Sequence, residues 1–227
     1  MSTNLNAASA DTFNAHAITT PWGIDVSHDE GEIDWAKVKA AGATFAFIKA
    51  SEGATIVDAT FHRNWAAAKA QGIITGAYHF LRANNSVESQ VNNFTSVYKQ
   101  ASPGDLPPSI DIEDPASWSR LSAVEAQALL FGFIEGITQR LALKNNPFIY
   151  LGLDTAQEVR ANDPRLDNYV LWLAYYTKAA RPKLPPPWKF WTFWQYTYTG
   201  RVDGVQGGVD IDRFNGQQDR LEALLIQ

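Results

Sequence analysis

From Trp22 onward the apolar positions alternate between two rhythms: short runs rich in β-branched and aromatic residues, and longer stretches with a helical period. Residues 22–27 read as a strand, 33–41 as a helix and 43–50 as a second strand. A helix over 58–71 ends at Gly72, the residue type that most easily adopts the left-handed C-terminal cap. A strand over 73–80, a helix over 87–100 and a strand over 108–113 follow. The helix predicted over 122–143 is the longest, opened by Ser122 with Glu125 three residues on, a capping box. Strands over 148–151, 169–176, 190–197 and 208–214 come next, and a helix over 217–226 closes the chain. Helices between the late strands are short or absent, and the proline-rich stretch 181–187 stands in for one of them.

Eight strands with regular helices in the first half predict an α/β protein, and no break in composition divides it. A closed, TIM-like β/α barrel is the leading architecture. The competing doubly wound open sheet is signalled by a glycine-rich phosphate loop after its first strand, whereas this strand ends in Ile24-Asp25-Val26-Ser27-His28.

Composition narrows the function classes. With 227 residues, 45% of them hydrophobic, the chain has material for one sizeable core. A net charge of −5 supplies no global basic field, which argues against nucleic acid or an anionic membrane as partner. The lack of cysteine excludes disulfides, thiolate nucleophiles and cysteine-ligated zinc, and gives no cellular address. Residues 1–21 read as a flexible leader, rich in Ser, Thr, Asn and Ala, without the basic start and apolar stretch of a secretory signal. No segment has the apolar length of a transmembrane helix. Residues 22–227 are left as the folded unit.

In a β/α barrel the active site forms at the carboxyl ends of the strands. Asp25, Asp111, Glu113 and Asp210 are carboxylates at or near the ends of otherwise apolar strands. Asp111 and Glu113 are spaced i, i+2, so on a strand both point to one face with Cα atoms about 6.6 Å apart. Crowding and partial burial raise the pKa of at least one member, which is what a general acid requires. Glycoside hydrolysis uses one protonated carboxyl to donate to the leaving oxygen and a second group to stabilise or attack the oxocarbenium-like centre. Glu113 has the longer reach and is the expected acid. Asp114, before Pro115, is expected to act as a helix cap or surface ion pair. His28 and His79 lack the spacing of a zinc site, so no metal or other cofactor is expected.

These residues carry a resemblance. Gly23-Ile24-Asp25-Val26-Ser27-His28, Gly31-Glu32-Ile33-Asp34-Trp35, Phe47-Ile48-Lys49-Ala50-Ser51-Glu52-Gly53, Asn64-Trp65 with Ala68-Lys69, and Gly76-Ala77-Tyr78-His79-Phe80 come first. Asp111-Ile112-Glu113, Ile149-Tyr150, the spaced Trp172, Ala174 and Tyr176, Trp194-Gln195-Tyr196 and Val209-Asp210-Ile211-Asp212 with Phe214 follow in order. The chain thereby resembles the glycoside hydrolase family 25 lysozymes, the Chalaropsis-type muramidases, over nearly its whole length. The resemblance implies a modified barrel of eight strands with fewer than eight helices. It implies cleavage of the β-1,4 bond between N-acetylmuramic acid and N-acetylglucosamine, with Glu113 as acid. Asp111 would orient the 2-acetamido group or stabilise the positive centre, and Asp25 and Asp210 would complete the acidic cluster.

The same resemblance places Tyr78, Tyr150, Trp172 and Tyr176 along the substrate groove, where planar rings can stack on pyranoses or simply pack in the core. Adjacent strand residues face opposite ways, so at most one of Trp194 and Gln195 reaches the site. Lys49 and Glu52 follow the second strand and contact substrate or pair with the acidic cluster. Tyr175 is a further aromatic candidate. The expected partner is the peptidoglycan glycan strand, with the wall reached after phage lysis or by specialised secretion. An immunity or delivery partner belongs to the second route. No appended wall-binding repeat is expected after the barrel. A chitinase-type barrel also ends a strand in Asp-x-Glu, but its signature needs Asp at position 109, where this chain has Ser109. A catalytically silent sugar-binding barrel would have lost the acid.

Overall fold

The computed structural model describes residues 20–99, 101–159 and 163–227. Residues 1–19 of the expected leader lie outside them. Eight strands close a barrel: β1 (Trp22–Val26), β2 (Phe45–Glu52), β4 (Ile74–Phe80), β5 (Ser109–Ile112), β6 (Phe148–Gly152), β7 (Leu171–Ala174), β8 (Phe193–Gly200) and β9 (Val209–Phe214). Parallel pairing of β1 with β2 completes the ring, and the two-residue β3 (Ile56–Val57) folds back on β2 outside it. The parallel run extends from β1 through β2, β4, β5, β6, β7 and β8. Strand β9 runs antiparallel to both β8 and β1.

Seven α-helices are present among the described residues: α1 (Trp35–Ala40), α2 (Phe61–Ala70), α3 (Val87–Val97), α4 (Pro115–Trp118), α5 (Ala123–Arg140), α6 (Leu153–Glu158) and α7 (Gln218–Glu222). The expected barrel with fewer than eight helices is therefore the fold found. Between β7, β8 and β9 no helix intervenes, which follows from the proline-rich segment and from the tight antiparallel return of β9. The capping box opening α5 is made in full: Ser122 N–H donates to Glu125 Oε2 at 2.8 Å, and Glu125 N–H donates to Ser122 Oγ at 3.3 Å. Gly72 has φ +67°, as its cap position requires.

Element ends differ from the sequence expectation where apolar patterning carries no stop signal. The helix expected over 87–100 ends at Val97, because Tyr98 already leaves helical geometry. The strand expected over 190–197 is shifted to Phe193–Gly200, leaving Phe190 exposed. The expected helix over 217–226 shrinks to α7, and Ile226 N–H instead bonds Asp105 O.

Strand alternation divides the apolar residues into two cores. Outward-facing Ile24, Ile48, Ile110, Ile149, Leu173 and Ile211 pack under the helices. Inward-facing Phe45, Phe47, Phe148, Trp172, Phe193 and Phe214 fill the barrel itself. Phe193 meets Phe45 and Phe47 edge-on with ring centroids 5.1 Å apart in each case, an arrangement that suits aromatic quadrupoles. Close packing at this floor demands missing side chains. A Cβ on Gly23 would lie 2.5 Å from the Phe45 ring, and one on Gly76 would lie 2.8 Å from the Phe47 ring.

Candidate active site

Toward the carboxyl ends of the parallel strands the inward positions turn polar. Asp25 from β1, Lys49 from β2, Tyr78 from β4, Asp111 from β5, Tyr150 from β6, Gln195 from β8 and Asp210 from β9 line one cavity of about 280 Å³. Glu113, just past the end of β5, lines it too, with Trp172 and Tyr176. Asp25 lies within β1, opposite Asp210 in the ladder. Because β9 is reversed, its start lies at this mouth, and that reversal brings Asp210 to residues from the ends of the parallel strands.

On the β8, β9 and β1 side the acids meet neutral partners. Gln195 Nε2 donates to Asp25 Oδ2 at 2.8 Å, and Gln195 Oε1 accepts from the hydroxyls of Tyr150 at 2.9 Å and Tyr176 at 2.6 Å. Trp172 Nε1 donates to Asp212 Oδ1 at 2.7 Å. Burial first, then the nearby Asp210 and Asp212 charges, raise Asp25 well above the usual carboxylate range. Burial likewise raises Asp212 to about 8 and Asp210 to about 7, with Glu30 and Glu113 adding to Asp210.

On the β2, β4 and β5 side cations are present. Lys49 Nζ pairs with Glu52 Oε2 at 2.7 Å, and Arg82 Nη2 with Glu52 Oε1 at 2.5 Å. Arg82 also reaches Asp114 at 3.6 Å, and both cations lie over the Phe80 ring. Asp111 is buried and raised well above its ordinary value, by burial foremost and by Glu113 next, while Lys49 opposes the shift. Its Oδ1 is buried without a hydrogen-bond partner. An acceptor in that state is costly unless a ligand donor meets it.

Several sequence candidates are placed differently from expectation. Lys49 and Glu52 belong to β2 instead of following it. Glu52 does not line the cavity, because its carboxylate is turned to Lys49 and Arg82. Trp194 is on the outer face, its Nε1 donating to Tyr175 O, and Tyr175 packs against the outer core. Asp114 follows the ion-pair alternative of its expectation: it occupies the N-cap position of α4 without capping the backbone, accepts from Ser117 Oγ and pairs with Arg82. His79 is buried against Phe133 with its pKa lowered to about 3 by desolvation, and His28 pairs with Asp58. Among the described residues no group of three or more His, Cys, Asp or Glu is arranged to hold a metal ion.

Glu30, Asp212 and Tyr198 were absent from the candidates. Glu30 lines the cavity and accepts from Ser27 N–H at 2.7 Å, and the Ser27-x-x-Glu30 capping box was the signal that could have located it. Asp212 lies beneath Asp25, one alternation from Asp210 on β9. Tyr198, on the rim, has no local sequence signature.

The model of the family described as Glycosyl hydrolases family 25 matches residues 24–205. The chain is 38% identical to Lysozyme M1 of Streptomyces globisporus over 209 residues, covering 89% of this chain and 70% of that protein. It is 30% identical to an N,O-diacetylmuramidase of Arthroderma benhamiae, covering 88% and 84%. Among solved structures, the bacterial lysozyme from Streptomyces coelicolor superposes with a TM-score of 0.84 at 36% identity, covering 91% of this chain and 97% of that one.

Proposed function

The chain belongs to glycosyl hydrolase family 25, and from that membership we propose that it is a muramidase cleaving the β-1,4 bond between N-acetylmuramic acid and N-acetylglucosamine in peptidoglycan. The catalytic unit is residues 22–227, and its place of action is the bacterial wall. Among the described residues no helix is long and apolar enough to cross a membrane.

The carrying observation is the partnerless, buried Oδ1 of Asp111 beside Glu113 in the cavity. An acetamido N–H of the sugar is a donor of the kind that oxygen lacks. Held there, the acetamido carbonyl oxygen attacks the anomeric carbon as the glycosidic C–O bond breaks. Glu113, half-buried on the rim, gives its proton to the departing oxygen. The intermediate is a cyclic oxazolinium ion whose charge Asp111 stabilises. Water then attacks the same carbon from the face the leaving group vacated, Glu113 takes the water's proton, and the configuration is retained. Burial and the nearby Glu113 charge raise Asp111 well above its ordinary value, which supports a pair that shares one proton. Asp25 and Asp210 complete the acidic lining, Lys49 tempers the charge of Asp111, and Tyr78, Tyr150, Trp172, Tyr176 and Gln195 shape the groove.

Clearing of a purified peptidoglycan suspension tests this reading. The intact chain clears it, and Glu113→Gln slows clearing by roughly 10²–10⁴-fold, the usual worth of a general acid. No clearing by the intact chain, or unchanged clearing by the variant, would overturn it.

A further inference from the structure

We propose that Tyr198, with Tyr176, forms an aromatic platform that stacks an uncharged N-acetylhexosamine ring of the glycan strand on the β8–β9 side of the mouth, at its exposed rim. The inference rests on the muramidase reading and adds a binding residue to it.

Tyr198 reaches the cavity through a fault in the ladder. Gln195 pairs with Asp212 and faces inward, and strict alternation would pair Thr197 with Asp210 and turn Tyr198 outward beside Val209. Instead the register slips by one residue at Tyr196, so Thr197 pairs with Ile211, whose side chain is in the outer core. Tyr198 is thereby placed on the same face as Asp210, and both line the cavity. Such bulges re-aim side chains next to active sites.

The ring so placed contributes little to folding. Tyr198 is 62% exposed and Tyr176 49%, whereas Tyr78 and Tyr150 in the same cavity are buried. Their rings meet edge to face at 4.9 Å and 62°, and the Tyr176 hydroxyl is anchored on Gln195 Oε1. One tyrosine is thus fixed and props the other. A pyranose presents a face of C–H groups that covers such a ring and removes it from water. Charge selects the ring type. Asp25, Glu30 and Asp210 line the cavity beside the platform, and its cation, Lys49, is committed to Glu52. Among the described residues no uncommitted cation is left on the lining to pair with an anionic sugar.

The test uses peptide-free glycan strands of graded length with the full chain, Tyr198→Ala and Tyr198→Phe. On long strands Tyr198→Ala raises KM about 3–10-fold, the range that one aromatic stacking contact supplies, with kcat changed less than twofold. Tyr198→Phe restores the wild-type KM, since the platform needs the ring and not the hydroxyl. The effect diminishes as strands become too short to reach the rim. Thermal unfolding of Tyr198→Ala within about 1 °C of the parent excludes a folding defect. A KM for Tyr198→Ala equal to wild type at every length would overturn the platform. If the intact chain cleaved no strand, the muramidase reading would fail instead. Calorimetric titration with N-acetylglucosamine oligomers would then decide the platform, requiring weaker binding by Tyr198→Ala.

Discussion

The two walls of the mouth hold similar numbers of carboxylates and treat them in opposite ways. On the β1, β8 and β9 wall, Asp25 is offered an amide N–H and Asp212 an indole N–H, and burial raises both of them and Asp210. On the β2, β4 and β5 wall, Lys49 and Arg82 stand beside the acids, and Glu52 between them is held below its ordinary value by those two cations, which outweigh its desolvation. Asp111 lies at the junction, raised by burial and Glu113 but pulled down by Lys49 and Arg82. The first wall stores protons and the second stores charge. A glycosidase needs both, because protonation of a leaving oxygen and stabilisation of a cationic centre occur in one transition state.

Breaking the junction carries the largest expected effect. Asp111→Asn keeps the size and one acceptor oxygen but removes the charge that faces the developing cation. In the proposed reaction kcat falls about 10²-fold, equivalent to about 2.7 kcal/mol of transition-state stabilisation. The fold is retained because a neutral side chain is easier to bury than a carboxylate. Rates of peptidoglycan clearing and far-ultraviolet circular dichroism check the two halves of this expectation. Full activity in the variant would remove Asp111 from the mechanism.

The barrel was legible from sequence because each strand carries its own signal, an apolar run bounded by turn residues. The family motifs likewise fall within the strands or just after them, so Asp25, Asp111, Glu113 and Asp210 could be named. Long-range geometry was not legible. Nothing local to residues 209–214 says that this strand runs backwards, and Asp210 reaches the mouth for that reason. Period-two alternation separated Trp194 from Gln195 but could not say which faces inward, since phase is set by the neighbouring strand. The slip at Tyr196 then inverts the phase for Tyr198. Glu52 was misplaced for a related cause: a second slip, between Lys49 and Ser51, lets β2 run on past Ala50 and turns Glu52 toward Arg82.

A second perturbation makes the neutral wall resemble the other. Gln195→Glu deletes the N–H donor to Asp25 and sets another carboxyl against it, while the two tyrosine hydroxyls keep an acceptor. Loss of that hydrogen bond together with a newly buried acid costs about 2 kcal/mol at pH 7. The cost shrinks at pH 5, where the introduced carboxyl is more nearly protonated. Urea denaturation at the two pH values measures the difference, and an equal loss at both would show that the wall discriminates shape rather than charge.

The last perturbation is the mildest and addresses proton storage directly. Unfolded aspartates titrate near 3.9, whereas Asp210 and Asp212 titrate at about 7 and about 8 in the folded chain, and Asp25 is also raised. Between about pH 4 and pH 8 the folded state therefore binds more protons than the unfolded state. The linkage relation then makes stability fall as pH rises, each group adding a slope of at most about 1.4 kcal/mol per pH unit. The contribution is whole below the unfolded pKa and is lost as pH climbs through the folded values. Asp212→Asn removes the group with a folded value of about 8 while leaving an oxygen for Trp172 Nε1. Its stability curve should be flatter than that of the parent, converging with it near pH 4 and exceeding it near pH 8. A variant curve parallel to the parent's would place the stored proton elsewhere on the wall, with Asp25 the remaining buried member.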